Sequence, residues 1–140
     1  MTERFIVVAA VACCALSFAS VQVSLAHESG GDPNIVVPET ADGVLQEIKK
    51  HHAAITAAVN GKNLKAVHDQ AEAMIALAKA LPAKVEGNRQ AEVERTTKNV
   101  RELADSVHHA ADDGNQPRSG IELKKLDGAV TTLEKQLKTE

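Results

Sequence analysis

The sequence predicts an all-α fold, an antiparallel up-down-up-down four-helix bundle preceded by an irregular N-terminal arm, and three observations carry that expectation. Apolar residues recur at alternating spacings of three and four in four separate stretches, which is the period of one helix face. Short Gly-, Asn- or Pro-containing joins separate the stretches, and short joins force neighbouring helices to run antiparallel. No stretch shows the strict alternation of a half-buried strand.

Residues 27–39 hold Gly30, Gly31, Pro33 and Pro38 without sustained periodicity and read as the arm. The bundle occupies 40–140. Leu45, Ile48, His52, Ile55 and Val59 mark a first helix over about 41–60, which Asn60-Gly61 ends as a C-cap would. Leu64, Val67, Ala71, Met74, Ala78 and Leu81 mark a second over about 63–81, stopped by Pro82. Val93, Thr97 or Thr96, Val100, Leu103, Val107 and Ala110 mark a third over about 88–112, broken by Asp112-Asp-Gly-Asn-Gln-Pro117. Leu123, Leu126, Val130, Leu133 and Leu137 form the fourth seam over about 118–138, with Glu134 and Lys138 as an i,i+4 pair on its outer face. Frequent Ala on the inner faces implies close helices and a small aliphatic core.

Ahead of the arm, residues 1–26 read as a cleaved signal peptide. Arg4 gives the positive start, Phe5 to Phe18 an uncharged apolar run, and Ser24-Leu25-Ala26 the small residues read at the cleavage site. A membrane anchor competes with this reading, but the apolar run is shorter than the ~20 residues a span needs. A lipoprotein acylated at Cys13 or Cys14 is a second alternative. Cleavage after Ala26 places the mature chain in the periplasm, with no membrane association and His27 as its first residue.

Removing Glu3 and Arg4 leaves 15 basic against 18 acidic side chains of the 16 and 19 in the whole chain, so the net charge stays at −3. The two signs are interleaved, as in Glu92-Val-Glu-Arg-Thr-Thr-Lys98, and no aromatic remains for base stacking, so no nucleic-acid partner is expected. Both Cys precede residue 27, which excludes disulfides and thiol redox chemistry from the mature chain. All six His follow residue 26 and carry the remaining chemistry.

His51 and His52 flank the first seam, His68 the second, and His108 and His109 the third. His52 lies eight residues before Asn60 and His68 seven after Gly61, so antiparallel helices are expected to bring these two face to face, with His108 at the same end. Neutral imidazole suits Zn(II), Cu(II) and Ni(II), and Glu47, Glu72, Asp69 and Asp105 offer carboxylates as further ligands or backing partners. The expected metal residues are therefore His52 and His68, completed by His108 or His51. His27 joins them or forms a separate site, because a free α-amine beside an imidazole chelates Cu(II). Met74 is a soft Cu(I) donor in one reading and core filling in the other.

The competing interpretation keeps these histidines structural or pH-responsive, in a bundle that serves as a protein-interaction module. Two Glu-x-x-His motifs are lacking, which rules out a ferritin-like di-metal centre. No Cys-x-x-Cys-His attaches haem, and no nucleophile elbow or phosphate loop suggests an enzyme.

The stretch from Gly61 through Leu64-Lys-Ala-Val-His68 to Leu81-Pro82 resembles small exported bacterial helical proteins whose genes accompany heavy-metal and copper efflux systems. Asn99-Val-Arg-Glu-Leu-Ala-Asp105 and the helix from Leu123 to Leu137 are similar as well, so the resemblance spans most of the mature chain. It implies a periplasmic accessory or buffering role in metal resistance, with copper or zinc as ligand and an envelope efflux component as partner, and it carries over His68. The chain is read as a monomer or a dimer.

Overall fold

The computed structural model describes residues 35–138, and within them every regular element is helical. The expected signal peptide, its cleavage after Ala26, the lipidation alternative at Cys13 or Cys14, and His27 lie outside the described residues. Four helices pack against one another: α1 (Ala41–Asn60), α2 (Val67–Ala80), α3 (Gln90–Asp112) and α4 (Gln116–Lys138). α1 packs on α2 and α4, and α3 packs on the same two. The described helices belong to one compact unit, and none of them is long and apolar enough to cross a membrane.

α1 starts where an Ncap residue can satisfy its first free N–H. Thr40 is extended and its Oγ1 accepts from Gly43 N–H at 3.1 Å. At the other end the reversal differs from the one expected of Asn60-Gly61. Gly61 keeps a right-handed φ of −78°, and Lys62, at φ 58°, takes the left-handed residue's place. Lys62 N–H then donates to Val59 O at 3.1 Å and Asn63 N–H to Ala58 O at 2.9 Å, the paired bonds of a Schellman motif.

The second expected helix is interrupted at both ends. A 3-10 turn, Leu64–Ala66, leads into α2, and Pro82 does not halt the chain but sits in the first turn of another, Leu81–Lys84. There the missing N–H of Pro82 costs nothing, because first-turn donors have no intrahelical partner. The same reasoning applies to Pro117, which lies inside α4 rather than ahead of it. Asn115 caps that helix, its Oδ1 accepting from Arg118 N–H at 3.1 Å. Between α3 and α4, Gly114 supplies the left-handed residue at φ 67°, with Gly114 N–H on Ala111 O and Asn115 N–H on Ala110 O, each at 2.9 Å.

The core is aliphatic, as the lack of aromatics beyond residue 26 requires. Ile48, Ile55, Met74, Leu77, Leu81, Leu126 and Leu133 are its largest fully buried members, with Ala71, Ala78 and Ala104 letting helices approach. Thr97, rather than Thr96, takes the inward position on α3, its hydroxyl donating to Glu94 O at 3.0 Å. Polar pairs bridge the helices at the rim: Lys49 Nζ to Glu134 Oε1 at 2.7 Å joins α1 to α4, and Gln136 Nε2 to Glu92 Oε1 at 2.9 Å joins α4 to α3. Glu134 also bonds Lys138 at 2.6 Å, so it stands at the α1–α4 seam and not on the outer face.

Candidate metal centre

The first turn of α2 and the last turn of α3 bring three metal-ligating side chains together. His68 Nδ1 lies 2.5 Å from His108 Nε2, His108 Nε2 lies 3.0 Å from Asp112 Oδ2, and that oxygen lies 3.7 Å from His68 Nδ1. No other group of three or more His, Cys, Asp or Glu is gathered closely enough to hold an ion among the described residues. His108 and Asp112 are four apart on α3 and therefore share a face, while His68 reaches across from α2. The two imidazoles meet edge to face, with centroids 4.3 Å apart and planes 71° from parallel.

Behind the cluster, His68 Nε2 stands 3.4 Å from Glu72 Oε1, one helical turn along α2. An Nε2–H directed at that carboxylate leaves the Nδ1 lone pair aimed into the cluster, the tautomer a metal requires. A proton on His108 Nε2 then lies between two acceptors, His68 Nδ1 and Asp112 Oδ2. A divalent ion held by the same three atoms would take that proton's place, with His108 carrying its ring proton on Nδ1 instead.

Two donors held at about 2.0–2.1 Å on a tetrahedral ion stand roughly 3.3 Å apart. The observed triangle of 2.5, 3.0 and 3.7 Å brackets that value, so sub-ångström rotamer adjustments convert one arrangement into the other. Electrostatics favour a cation here as well. Asp112 closes α3 and Asp113 follows it, so two carboxylates sit at the negative end of the helix dipole.

The other expected ligands are placed elsewhere. His52 does not face His68: it turns toward α4, with Nε2 3.8 Å from Asp127 Oδ1, while His51 Nδ1 meets Gln70 Oε1 of α2 at 2.9 Å. Adjacent helical residues point about 100° apart, and α1 lies against both α2 and α4, so each neighbour receives one imidazole. His52 Nε2 is buried without a hydrogen-bond partner, and burial holds its pKa below the ordinary imidazole value despite the opposing pull of Asp127. His51 also lies 4.0 Å from Glu47. Asp105 pairs with His109 at 3.5 Å, one turn on, rather than with His108. Met74 is fully buried in the core.

Asp112 is the cluster member that sequence reasoning passed over, because Asp112-Asp-Gly reads as a helix stop. The His-x-x-x-Asp spacing from His108 was its available signal. Two surface grooves, one under Ile35 and Pro38 beside His51 and the other between Arg95 and Lys125, are not lined by His68, His108 or Asp112.

No protein-family model, curated protein or solved structure matches this chain.

Proposed function

We propose that the protein binds a transition-metal ion through His68, His108 and Asp112, and serves in the periplasm as a copper- or zinc-binding accessory or buffer of a metal resistance system. The observation that carries this reading is the convergence of two imidazoles and a carboxylate from two helices, with Glu72 orienting one imidazole from behind. Two nitrogens and one oxygen form a borderline donor set, suited to Zn(II) and Cu(II). Cu(I) prefers sulfur, and the one Met among the described residues is sealed in the core. The proposed role is non-enzymatic.

Export rests on the leader-like residues 1–26, and the role in resistance on the resemblance around His68. The bundle is taken as antiparallel and up-down-up-down. What supports this is the order of the bridging pairs, since Lys49, His52 and Val59 of α1 meet Glu134, Asp127 and Gln116 of α4 in descending order.

Calorimetric titration of Zn(II) and Cu(II) tests the reading, using chains that begin at residue 27 with His27 intact or with His27→Ala. One ion per chain is expected in both forms, and loss of that ion in a His68→Ala, His108→Ala double variant. Binding abolished by His27→Ala alone moves the site to His27. Absence of binding in either form refutes metal binding and leaves the interaction module.

A further inference from the structure

The accessibility of the three ligands differs, and that difference bears on how an ion enters and leaves. His108 is 12% exposed, whereas His68 and Asp112 are 45% and 48% exposed. The cluster is thus anchored by one largely buried donor and closed by two that face solvent. It contains three protein ligands, and no fourth His, Cys, Asp or Glu joins them among the described residues. Closed structural zinc sites take four protein ligands, while three leave a coordination position for an outside donor.

We propose that the site is an exchange site, in which a bound Cu(II) ion accepts free histidine as an outside ligand, forms a ternary complex with it, and passes to it by associative ligand exchange. This rests on the metal-binding reading above. Free histidine fits the opening by chemistry: its imidazole and amine are the nitrogen donors Cu(II) prefers, and two of the three protein ligands it must displace already face solvent.

The step conserves charge and oxidation state. A lone pair of histidine enters the open position and displaces water. The amine then forms a second bond as the Asp112 carboxylate releases the ion. His68 follows, and His108, the least exposed donor, leaves last. The released imidazoles keep the ring proton each carried while bound, the ammonium of the incoming histidine gives one proton to solvent as its amine coordinates, and copper remains Cu(II) throughout.

The layout also explains why exchange does not require the bundle to open. His68 and Asp112 are end-of-helix residues, in the first turn of α2 and the last of α3, so side-chain rotation alone withdraws them. A site buried between helix centres would depend on breathing of the whole fold, and its release rate would not respond to the acceptor.

Stopped-flow transfer from the Cu(II)-loaded protein to free histidine distinguishes the two. The chain carries His27→Ala, so that the N-terminus contributes no imidazole. The expected result is a release rate that rises in proportion to histidine at low concentration and levels off as the ternary complex fills, with a transient visible spectrum matching neither the loaded protein nor the copper–histidine complex. Asp112→Asn is expected to raise the rate further, with the ternary spectrum retained. A rate that stays constant over that low range, with no transient, overturns the exchange site while leaving metal binding intact. Failure to load any Cu(II) at the start overturns the metal-binding reading and the exchange site together.

Discussion

His108 and His109 are neighbours in sequence and their rings lie nearly parallel, yet they are 12% and 65% exposed, and only the first reaches across to α2. Replacing each by Ala therefore has different consequences for an ion held at the cluster. His108→Ala is expected to abolish measurable Zn(II) binding in a calorimetric titration, and His109→Ala to leave it unchanged. Glu72→Gln tests the backing contact. The amide accepts less strongly from His68 Nε2, so affinity is expected to fall by roughly 10–100-fold without loss of stoichiometry. Equal affinity in Glu72→Gln and the parent protein would show that His68 is oriented by something else. Lys62 belongs to this scale too. Its left-handed φ of 58° suits glycine, so Lys62→Gly is expected to stabilise the fold by about 1 kcal/mol in urea unfolding, provided the Schellman bonds persist. His68 and His108 were legible from their seam-flanking positions. Asp112 was obscured by its double nature, because the acid and glycine that end a helix also mark a turn. His52 was misassigned because a 3-4 spacing gives the inward face without saying which neighbour that face meets.

Helix existence was legible because the aliphatic stripes are long and separated by breakers. Helix ends were less so, since the deciding interactions are individual hydrogen bonds: Asn115 Oδ1 starts α4 before Pro117, and Lys62 displaces the reversal by one residue from Gly61. The particular pairs that join α1 to α4 were not legible, and one of them carries a pH dependence. Glu134 accepts from Lys138 and from Lys49 across the seam, and these bonds hold its carboxyl down to about 2. A depressed acid stabilises the fold above its unfolded value near 4.5, and that contribution fades as pH falls toward 2. Glu134→Gln is expected to be less stable than the parent at pH 6, with the difference shrinking to nothing near pH 2 in urea midpoints. His52 acts in the same direction over a higher window. With its pKa lowered by burial, the unfolded chain takes up a proton first as pH drops below 6.5, so stability declines there. His52→Gln is expected to flatten the fall in melting temperature between pH 7.5 and 5.5, and an unchanged slope would show that burial of His52 does not cause it.

At the scale of the whole molecule, an ion at the cluster would tie together parts of the chain that are far apart in sequence. His68 lies just beyond the α1–α2 connection and Asp112 just before the α3–α4 connection, so a metal bond between them closes a long loop that the unfolded chain leaves open. Binding to the native state alone stabilises by RT ln(1 + [ion]/Kd), about 2.7 kcal/mol at a hundredfold excess over Kd. For a domain of this size that corresponds to a rise in melting temperature of roughly 10–20 °C. The unfolded chain opposes this, because His51-His52 and His108-His109 remain adjacent pairs that hold metal without any fold. The two contributions separate in variants. A His68→Ala chain keeps both adjacent pairs but loses the cross-helix bond, so an ion retained only by the pairs favours the unfolded state. Scanning calorimetry with excess Zn(II) is therefore expected to raise the melting temperature of the parent protein and to leave that of His68→Ala unchanged or lowered. An equal rise in both would place the stabilising ion outside the α2–α3 cluster, because no other change distinguishes the two chains.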